Sequence, residues 1–152
     1  KKGFEQAIAG HDNLKIIRSQ TGDFTRAKGK EVMEGFLKAE NGGKDICAMY
    51  AHNDDMAVGA IQAIKDAGLK PGTDILVVSI DAVPDIFAAM VAGEANATVE
   101  LTPNMAGPAF DALDAFLKDG KQPEKFIITE SKLYTPADNP QGEYDNRKGL
   151  GY

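Results

Sequence analysis

The chain of 152 residues is long enough for one domain with a substantial core. Its net charge of -6, with no cluster among its 17 basic residues, argues against a nucleic-acid partner. No apolar run approaches the roughly 20 residues that a membrane-spanning helix needs. Cys47 is the lone cysteine and lies inside an apolar run, so we expect a buried thiol and neither a disulfide nor a cysteine-based metal site.

Apolar residues recur with helical spacing in some stretches and form continuous runs in others, and the two patterns alternate along the chain. This alternation predicts an α/β fold, in which a parallel sheet is flanked by helices on both faces. The most continuous apolar strand is expected at the centre of the sheet. In chain order the pattern predicts a helix ending at Gly10, strand Leu14–Ser19, helix Phe24–Glu40, strand Ile46–Tyr50, helix Met56–Ala67, the central strand Asp74–Ile80, a short helix from Pro84, strand Ala95–Leu101, a helix capped by Thr102 and running to Lys118, and strand candidates Phe126–Ile128 and Lys132–Tyr134.

Both ends of the chain depart from this regular pattern. The first residues, Lys1–Ile8, begin in the middle of a helical pattern, with no initiator Met and no capping residue. We therefore expect a fragment of a longer chain, whose targeting sequence lies elsewhere. From Pro136 onward the polar tail is expected to bury little.

Polar or aromatic groups stand at the ends of four predicted strands. In a parallel sheet these ends share one edge, so groups far apart in sequence should meet there. Carboxylates accept hydrogen bonds from adjacent hydroxyls, an amide both donates and accepts, and an aromatic ring can cover the C–H face of a sugar. The set therefore suits a neutral polyhydroxyl ligand. It consists of Gln20 with Phe24, His52-Asn53-Asp54, Asp81 and Glu100.

Each of these residues also has a purely structural interpretation. Asn53 or Asp54 could cap the helix that follows, and Asp81 could cap the next one. Phe24 could belong to the core, and Glu100 could be a solvated carboxylate. The functional interpretation therefore depends on these groups meeting at one edge.

A metal site and a catalytic centre are both poorly supported. Neither His11 nor His52 has a second histidine at metal spacing. Asp54, Asp81 and Glu100 could in principle hold Mg²⁺ for phosphoryl chemistry, but no phosphate cradle or persuasive nucleophile accompanies them. We therefore expect no metal, no cofactor and no catalysis.

One stretch resembles a known family closely. Ala51–Ala63 resembles the A-x-N-D-x-M-A-x-G-A-x-x-A segment of the periplasmic sugar-binding proteins of ABC transporters, which share their fold with LacI-type repressors. Shorter pieces match in the same order, namely Gly3-Phe4, Asp23–Arg26, Val77–Asp81 and Thr98–Leu101. Within the family, the members that bind galactofuranose are the most similar in Ile16–Gln20, Glu94–Ala97 and Leu101–Pro108.

The resemblance implies a role for several residues at this edge. Asn53, Asp81 and Glu100 would hydrogen-bond sugar hydroxyls, and Phe24 would stack on the ring; His52 is a further candidate for ligand contact. Ribose-binding relatives have a glutamine at the position of Glu100, so a carboxylate there changes the pattern of hydroxyls accepted.

The resemblance also implies a two-lobe protein of the type I periplasmic-binding fold, with the sugar held between the lobes. Residues 1–100 would belong to the C-terminal lobe, 101–130 would cross to the N-terminal lobe, and 131–152 would return. The helix carrying Phe110, Leu113 and Phe116 would pack on the N-terminal lobe, which this chain lacks. We therefore expect that face to be exposed and prone to association when the chain is alone.

Three functions follow from the residues and the resemblance. The first is the solute-binding component of a carbohydrate ABC importer, located in the periplasm, which binds a galactofuranose- or galactose-like monosaccharide and docks on a membrane permease. The second is the sugar-effector domain of a LacI-type repressor, which would require an upstream DNA-binding motif. The third is a Mg²⁺-dependent phosphotransferase or hydrolase.

Overall fold

The computed structural model describes residues 1–150 and has the predicted α/β class. Residues 151 and 152, the end of the predicted 131–152 segment, lie outside the described residues. The elements are α1 Lys2–Ile8, α2 Arg26–Ala39, a 3₁₀ turn Asn41–Gly43, β1 Ala48–Tyr50, α3 Asp54–Asp66, β2 Leu76–Asp81, α4 Pro84–Val91, β3 Ala97–Glu100, α5 Ala106–Asp119, β4 Leu133–Tyr134 and α6 Pro140–Arg147.

The strands form one sheet in the order β1-β2-β3-β4. The first three are parallel, as predicted, and β4 runs antiparallel to β3, so the sheet is mixed. Strand β2 lies between β1 and β3, which confirms the predicted central position of the most apolar strand. In the β2–β3 ladder Asp81 is the register partner of Glu100, so these two carboxylates end neighbouring strands side by side.

The core forms between β2 and the helices α3 and α4. Its fully buried members include Ile64, Val77 and Phe87. Helices α2 and α3 cross closely because Gly29 and Gly59 have no side chain at the crossing. A Cβ on Gly59 would collide with the carbonyl oxygen of Arg26, and one on Gly29 would collide with the backbone of Met56. This close crossing brings the loop before α2 next to the start of α3.

Two predicted strands are wrong. Leu14–Ser19 and Phe126–Ile128 are not assigned to strands, because a strand needs a neighbour to share its backbone hydrogen bonds and the described chain pairs neither stretch. Their apolar side chains are correspondingly exposed.

Three smaller expectations are also corrected. Helix α5 begins at Ala106 instead of directly after Thr102, whose hydroxyl accepts a hydrogen bond from the backbone N–H of Asn104 in a turn. Cys47 is exposed, as is its neighbour Ala48 at the start of β1. The polar tail forms α6, which packs against α4 and buries most of the Arg147 side chain.

Helix α5 has no buried residue within the described chain. Phe110 is 68% exposed, and Leu113 and Phe116 on the same helix are also exposed. Among residues 1–150 no helix is both long and apolar enough to cross a membrane.

Candidate ligand-binding site

The carboxyl ends of β1, β2 and β3 lie at the same edge of the sheet, and Asn53, Asp81 and Glu100 lie at or just after these ends. The ladder extends just past β1, where the backbone N–H of Ala51 donates to the carbonyl of Val78 at 2.9 Å. Asp81 and Glu100 end the next two strands as register partners. Asn53 follows β1, and its amide reaches the backbone of Phe24. We call Phe24, Asn53, Asp81 and Glu100 the ligand edge.

Asn53 both caps α3 and fixes the loop that carries Phe24. Its Oδ1 accepts from the backbone N–H of Met56 at 2.9 Å, which is an N-cap bond. Its Nδ2 donates to the carbonyl of Phe24 at 3.2 Å. Between the two capping candidates the structure therefore selects Asn53, and it leaves the second Nδ2 hydrogen of Asn53 without a partner among these bonds.

Asp54 is instead the buried connector of the edge. Its carboxylate is fully buried and accepts from Ser79 Oγ at 2.5 Å, Thr98 Oγ1 at 2.9 Å and the backbone N–H of Val83 at 2.8 Å. One side chain at the start of α3 thus holds β2, β3 and the turn before α4 together. Burial raises the pKa of this carboxyl to about 6.

The sequence contained a signal for this connection. Ser79 and Thr98 are polar residues inside two otherwise apolar strands, and both are buried. Buried hydroxyls need partners, and a carboxylate at a neighbouring strand end could supply them.

Asp81 sits in a turn with unusual backbone geometry. Its φ is 125° and that of Ala82 is 67°, values that non-glycine residues rarely adopt and that persist when the surroundings hold them. Asp81 does not cap α4, because the N-cap position is Val83 and makes no side-chain cap bond. The capping alternative for Asp81 is therefore excluded. Burial raises the pKa of the half-buried Asp81 carboxyl above its usual value.

Phe24 is not a core residue. Its ring is 74% exposed and its φ is 59°, so a left-handed turn holds a large apolar side chain in solvent. The turn is fixed by Asn53 on one side. On the other, Thr25 caps α2 by accepting from the backbone N–H of Lys28 at 3.2 Å. A rigidly based, exposed ring has the chemistry of a stacking surface.

Glu100 is not a freely solvated carboxylate. Arg147 of α6 donates to its Oε1 at 3.0 Å, and the Tyr134 hydroxyl lies 3.4 Å from its Oε2. The sequence analysis missed Arg147, because it lies 47 positions along the chain in a tail expected to bury little. No local pattern could have identified this long-range pair.

The two remaining candidates, His52 and Gln20, have no contact with the ligand edge among the described bonds. His52 is exposed and meets the Tyr50 ring edge-on at 5.2 Å, and Tyr50 in turn stacks on Phe4 at 4.7 Å. Partial burial lowers the pKa of His52 below its usual value, which favours the neutral ring. Gln20 is exposed and borders a groove along α2 with Phe36.

The candidate carboxylates are not grouped as a metal site in the described part of the chain. Within residues 1–150 no group of three or more His, Cys, Asp or Glu side chains is placed to hold a metal ion. The Asp54 oxygens are already committed to three protein donors. The remaining acceptors and the exposed ring are groups that a neutral, hydroxyl-rich ligand can use.

Comparison with known proteins identifies the family. A family profile described as a periplasmic binding protein domain matches residues 1–122. The galactofuranose-binding protein YtfQ of Escherichia coli is 67% identical over all 152 residues, which is 48% of its own length.

Solved structures agree with this result. A crystal structure of a galactofuranose binding protein matches with a TM-score of 0.92 and 67% identity, over 99% of this chain and 51% of the other. The periplasmic binding protein of the arabinose ABC transporter from Shewanella sp. ANA-3, bound to α- and β-L-arabinofuranose, matches at 0.91 and 59% over 98% and 49%. The relatives are named as binding proteins, and this chain spans about half of their length. The resemblance seen in the sequence is thereby confirmed, and the chain belongs to the periplasmic binding protein family.

Proposed function

We propose that this chain is the sugar-reading part of the solute-binding component of a carbohydrate ABC importer. It binds a galactofuranose- or galactose-like monosaccharide and performs no catalysis. The observation that carries the proposal is the ligand edge itself. Asn53, Asp81 and Glu100 lie where parallel strands end, Asn53 is hydrogen-bonded to the backbone of the exposed Phe24, and Arg147 holds Glu100. The names of the relatives support a furanose as ligand.

Each residue of the edge has a distinct role in this proposal. The carboxylates of Asp81 and Glu100, adjacent on neighbouring strands, accept hydrogen bonds from adjacent sugar hydroxyls. Asn53 offers its second Nδ2 hydrogen, because the first is used on Phe24. Phe24 covers the C–H face of the sugar ring. His52, as a neutral ring beside Asn53, is an additional contact.

The other half of the binding cleft comes from outside this chain. Residues 1–100 form one lobe, residues 101–130 cross to a second lobe, and 131–152 return to the first. The exposed apolar face of α5 supports this division, because it has nothing to cover it among residues 1–150. In the two-lobe protein, the lobes close on the sugar in the periplasm, and the closed form docks on a membrane permease.

Calorimetry on the two-lobe protein tests the proposal. We expect saturable 1:1 binding of at least one sugar from a panel of galactose, arabinose, ribose and fucose, including their furanose forms. The variant Asp81→Ala should lose most of this binding. The control Asp145→Ala removes an exposed carboxylate of α6 that pairs with Lys148, and it should bind normally. Failure of the unsubstituted protein to bind any sugar would reject the proposal.

A further inference from the structure

The guanidinium of Arg147 lies directly behind the ligand edge. It is carried by the last turn of α6, and its side chain is only 13% exposed. Nη1 donates to Glu100 Oε1 at 3.0 Å and reaches the carbonyl of Ala82, in the turn after Asp81, at 3.5 Å. A single side chain therefore contacts the ends of both strands that present a carboxylate.

The remaining nitrogens of Arg147 are also occupied. Nη2 donates to the Tyr134 hydroxyl at 2.7 Å, and Nε donates to Glu143 at 3.2 Å within α6. The Tyr134 hydroxyl lies 3.4 Å from Glu100 Oε2, so it approaches the second oxygen of the same carboxylate. Arg147 and Tyr134 thus each contact one carboxylate oxygen of Glu100.

Packing against two aromatic rings also holds the guanidinium in place. The rings of Phe87 and Tyr134 meet edge-to-face at 5.1 Å, and the Arg147 guanidinium carbon lies 5.3 and 5.2 Å from their centres. Arginine suits such a place because its planar fork combines directional donors with stacking on aromatic faces, which lysine cannot reproduce.

We propose that Arg147 is a positioning residue for sugar recognition, which acts through Glu100 and lets the C-terminal helix α6 set the orientation of that carboxylate. This inference rests on the proposed function. With both oxygens of Glu100 held from behind, the remaining lone pairs point in fixed directions, and the carboxylate need not be ordered when the sugar arrives. Ordering a flexible side chain when a ligand arrives lowers affinity, and a carboxylate that is already held avoids that loss.

A double-mutant cycle in the two-lobe protein tests the inference, with sugar affinity measured by calorimetry. Arg147→Met should weaken sugar binding about tenfold when Glu100 is present. The difference between this effect and the effect in a Glu100 variant is the coupling, and a tenfold difference is within the range seen for contacting residues. In the Glu100→Gln background the same substitution should change affinity less than twofold, because the carboxylate through which Arg147 acts is gone. Arg147→Lys should fall between Arg147→Met and the unsubstituted protein.

The controls separate positioning from simple loss of stability. Lys148→Met, next to Arg147 at the end of α6, removes an exposed pair with Asp145 and a contact with the Tyr144 ring, neither of which involves Glu100, and should leave affinity unchanged. The melting temperature of every variant is measured alongside. If Arg147→Met does not fold, the cycle is run with Arg147→Lys, which keeps the charge.

The possible results are distinct. Equal loss of affinity from Arg147→Met in both backgrounds would show a merely structural role and overturn the inference, as would undiminished binding. If the unsubstituted protein binds no sugar, the proposed function fails, and the inference fails with it. Tenfold loss confined to the background that retains Glu100 would support both.

Discussion

Two regions of this molecule differ in whether contacts within the chain hold and cover their side chains. The ligand edge is held by the chain's own contacts: Asp54 ties its strands from inside, and Arg147 ties Glu100 from behind. The arm, residues 101–130, exposes apolar side chains along α5 and in Phe126–Ile128, and α5 buries none. The difference fits the proposal that the recognition groups are preorganised by local contacts and that another structure covers the arm.

The largest expected effect comes from removing the connector of the edge. Asp54→Ala leaves two buried hydroxyls and one backbone N–H without their acceptor, so we expect the free energy of unfolding to fall by about 4 kcal/mol. Urea denaturation measures it. The matched control is Asp55→Ala, which removes the adjacent, half-exposed carboxylate that pairs with Arg26 and should cost less than about 1 kcal/mol. Equal losses of unfolding free energy in the two variants would contradict the role of Asp54 as the connector of the ligand edge.

A substitution in the arm should change stability or self-association and leave sugar affinity unchanged. In the two-lobe protein, where we propose that α5 is covered, Phe110→Ala should lower the free energy of unfolding by about 3–4 kcal/mol and leave sugar affinity unchanged. In the 152-residue chain alone, Phe110 is exposed, so the same substitution should barely affect stability. It should instead reduce self-association in sedimentation velocity. A monodisperse unsubstituted chain would argue against an uncovered arm.

The raised pKa of Asp54 makes the stability of the folded protein depend on pH. Burial raises this pKa from 3.8 to about 6, so between these values the folded state keeps a proton that the unfolded state has released. Stability should therefore fall as pH rises from about 4 to 6 and level off above about 7, by about 3 kcal/mol at most. Comparing urea denaturation of the unsubstituted protein with Asp54→Asn isolates this contribution, because asparagine does not titrate. Parallel pH profiles would contradict the assignment.

Removing the Phe24 ring should give the smallest effect, and the one most specific to the ligand edge. Phe24→Ala should weaken sugar binding about tenfold, since it removes a stacking surface worth about 1–1.5 kcal/mol, and it should leave stability unchanged because the ring is exposed. Calorimetry and thermal unfolding of the same variant give both values. Phe126→Ala is the matched control, because its ring is equally exposed but lies in the arm. A loss of affinity in Phe126→Ala alone would reverse the assignment of the two regions.

Sequence reasoning found the edge because parallel strands bring their carboxyl ends together wherever they lie in the chain. It placed Asp81 and Glu100 at the same edge, and the structure shows in addition that they are register partners on neighbouring strands. It could not find Arg147, because its partners are brought together only by tertiary packing. The role of Asp54 had a signal in the polar Ser79 and Thr98, which the prediction did not use. Strand Leu14–Ser19 failed for a related reason. Apolar residues favour a strand, but a strand forms only where a neighbour shares its hydrogen bonds.

A crystal structure of the two-lobe protein with its sugar tests the central claim most directly. We expect sugar hydroxyls within about 3.2 Å of the carboxylates of Asp81 and Glu100 and of Asn53 Nδ2. The Phe24 ring should lie against the apolar face of the sugar, and Arg147 should still be bound to Glu100. A sugar held without contact to Asp81, Glu100 and Phe24 would contradict the account.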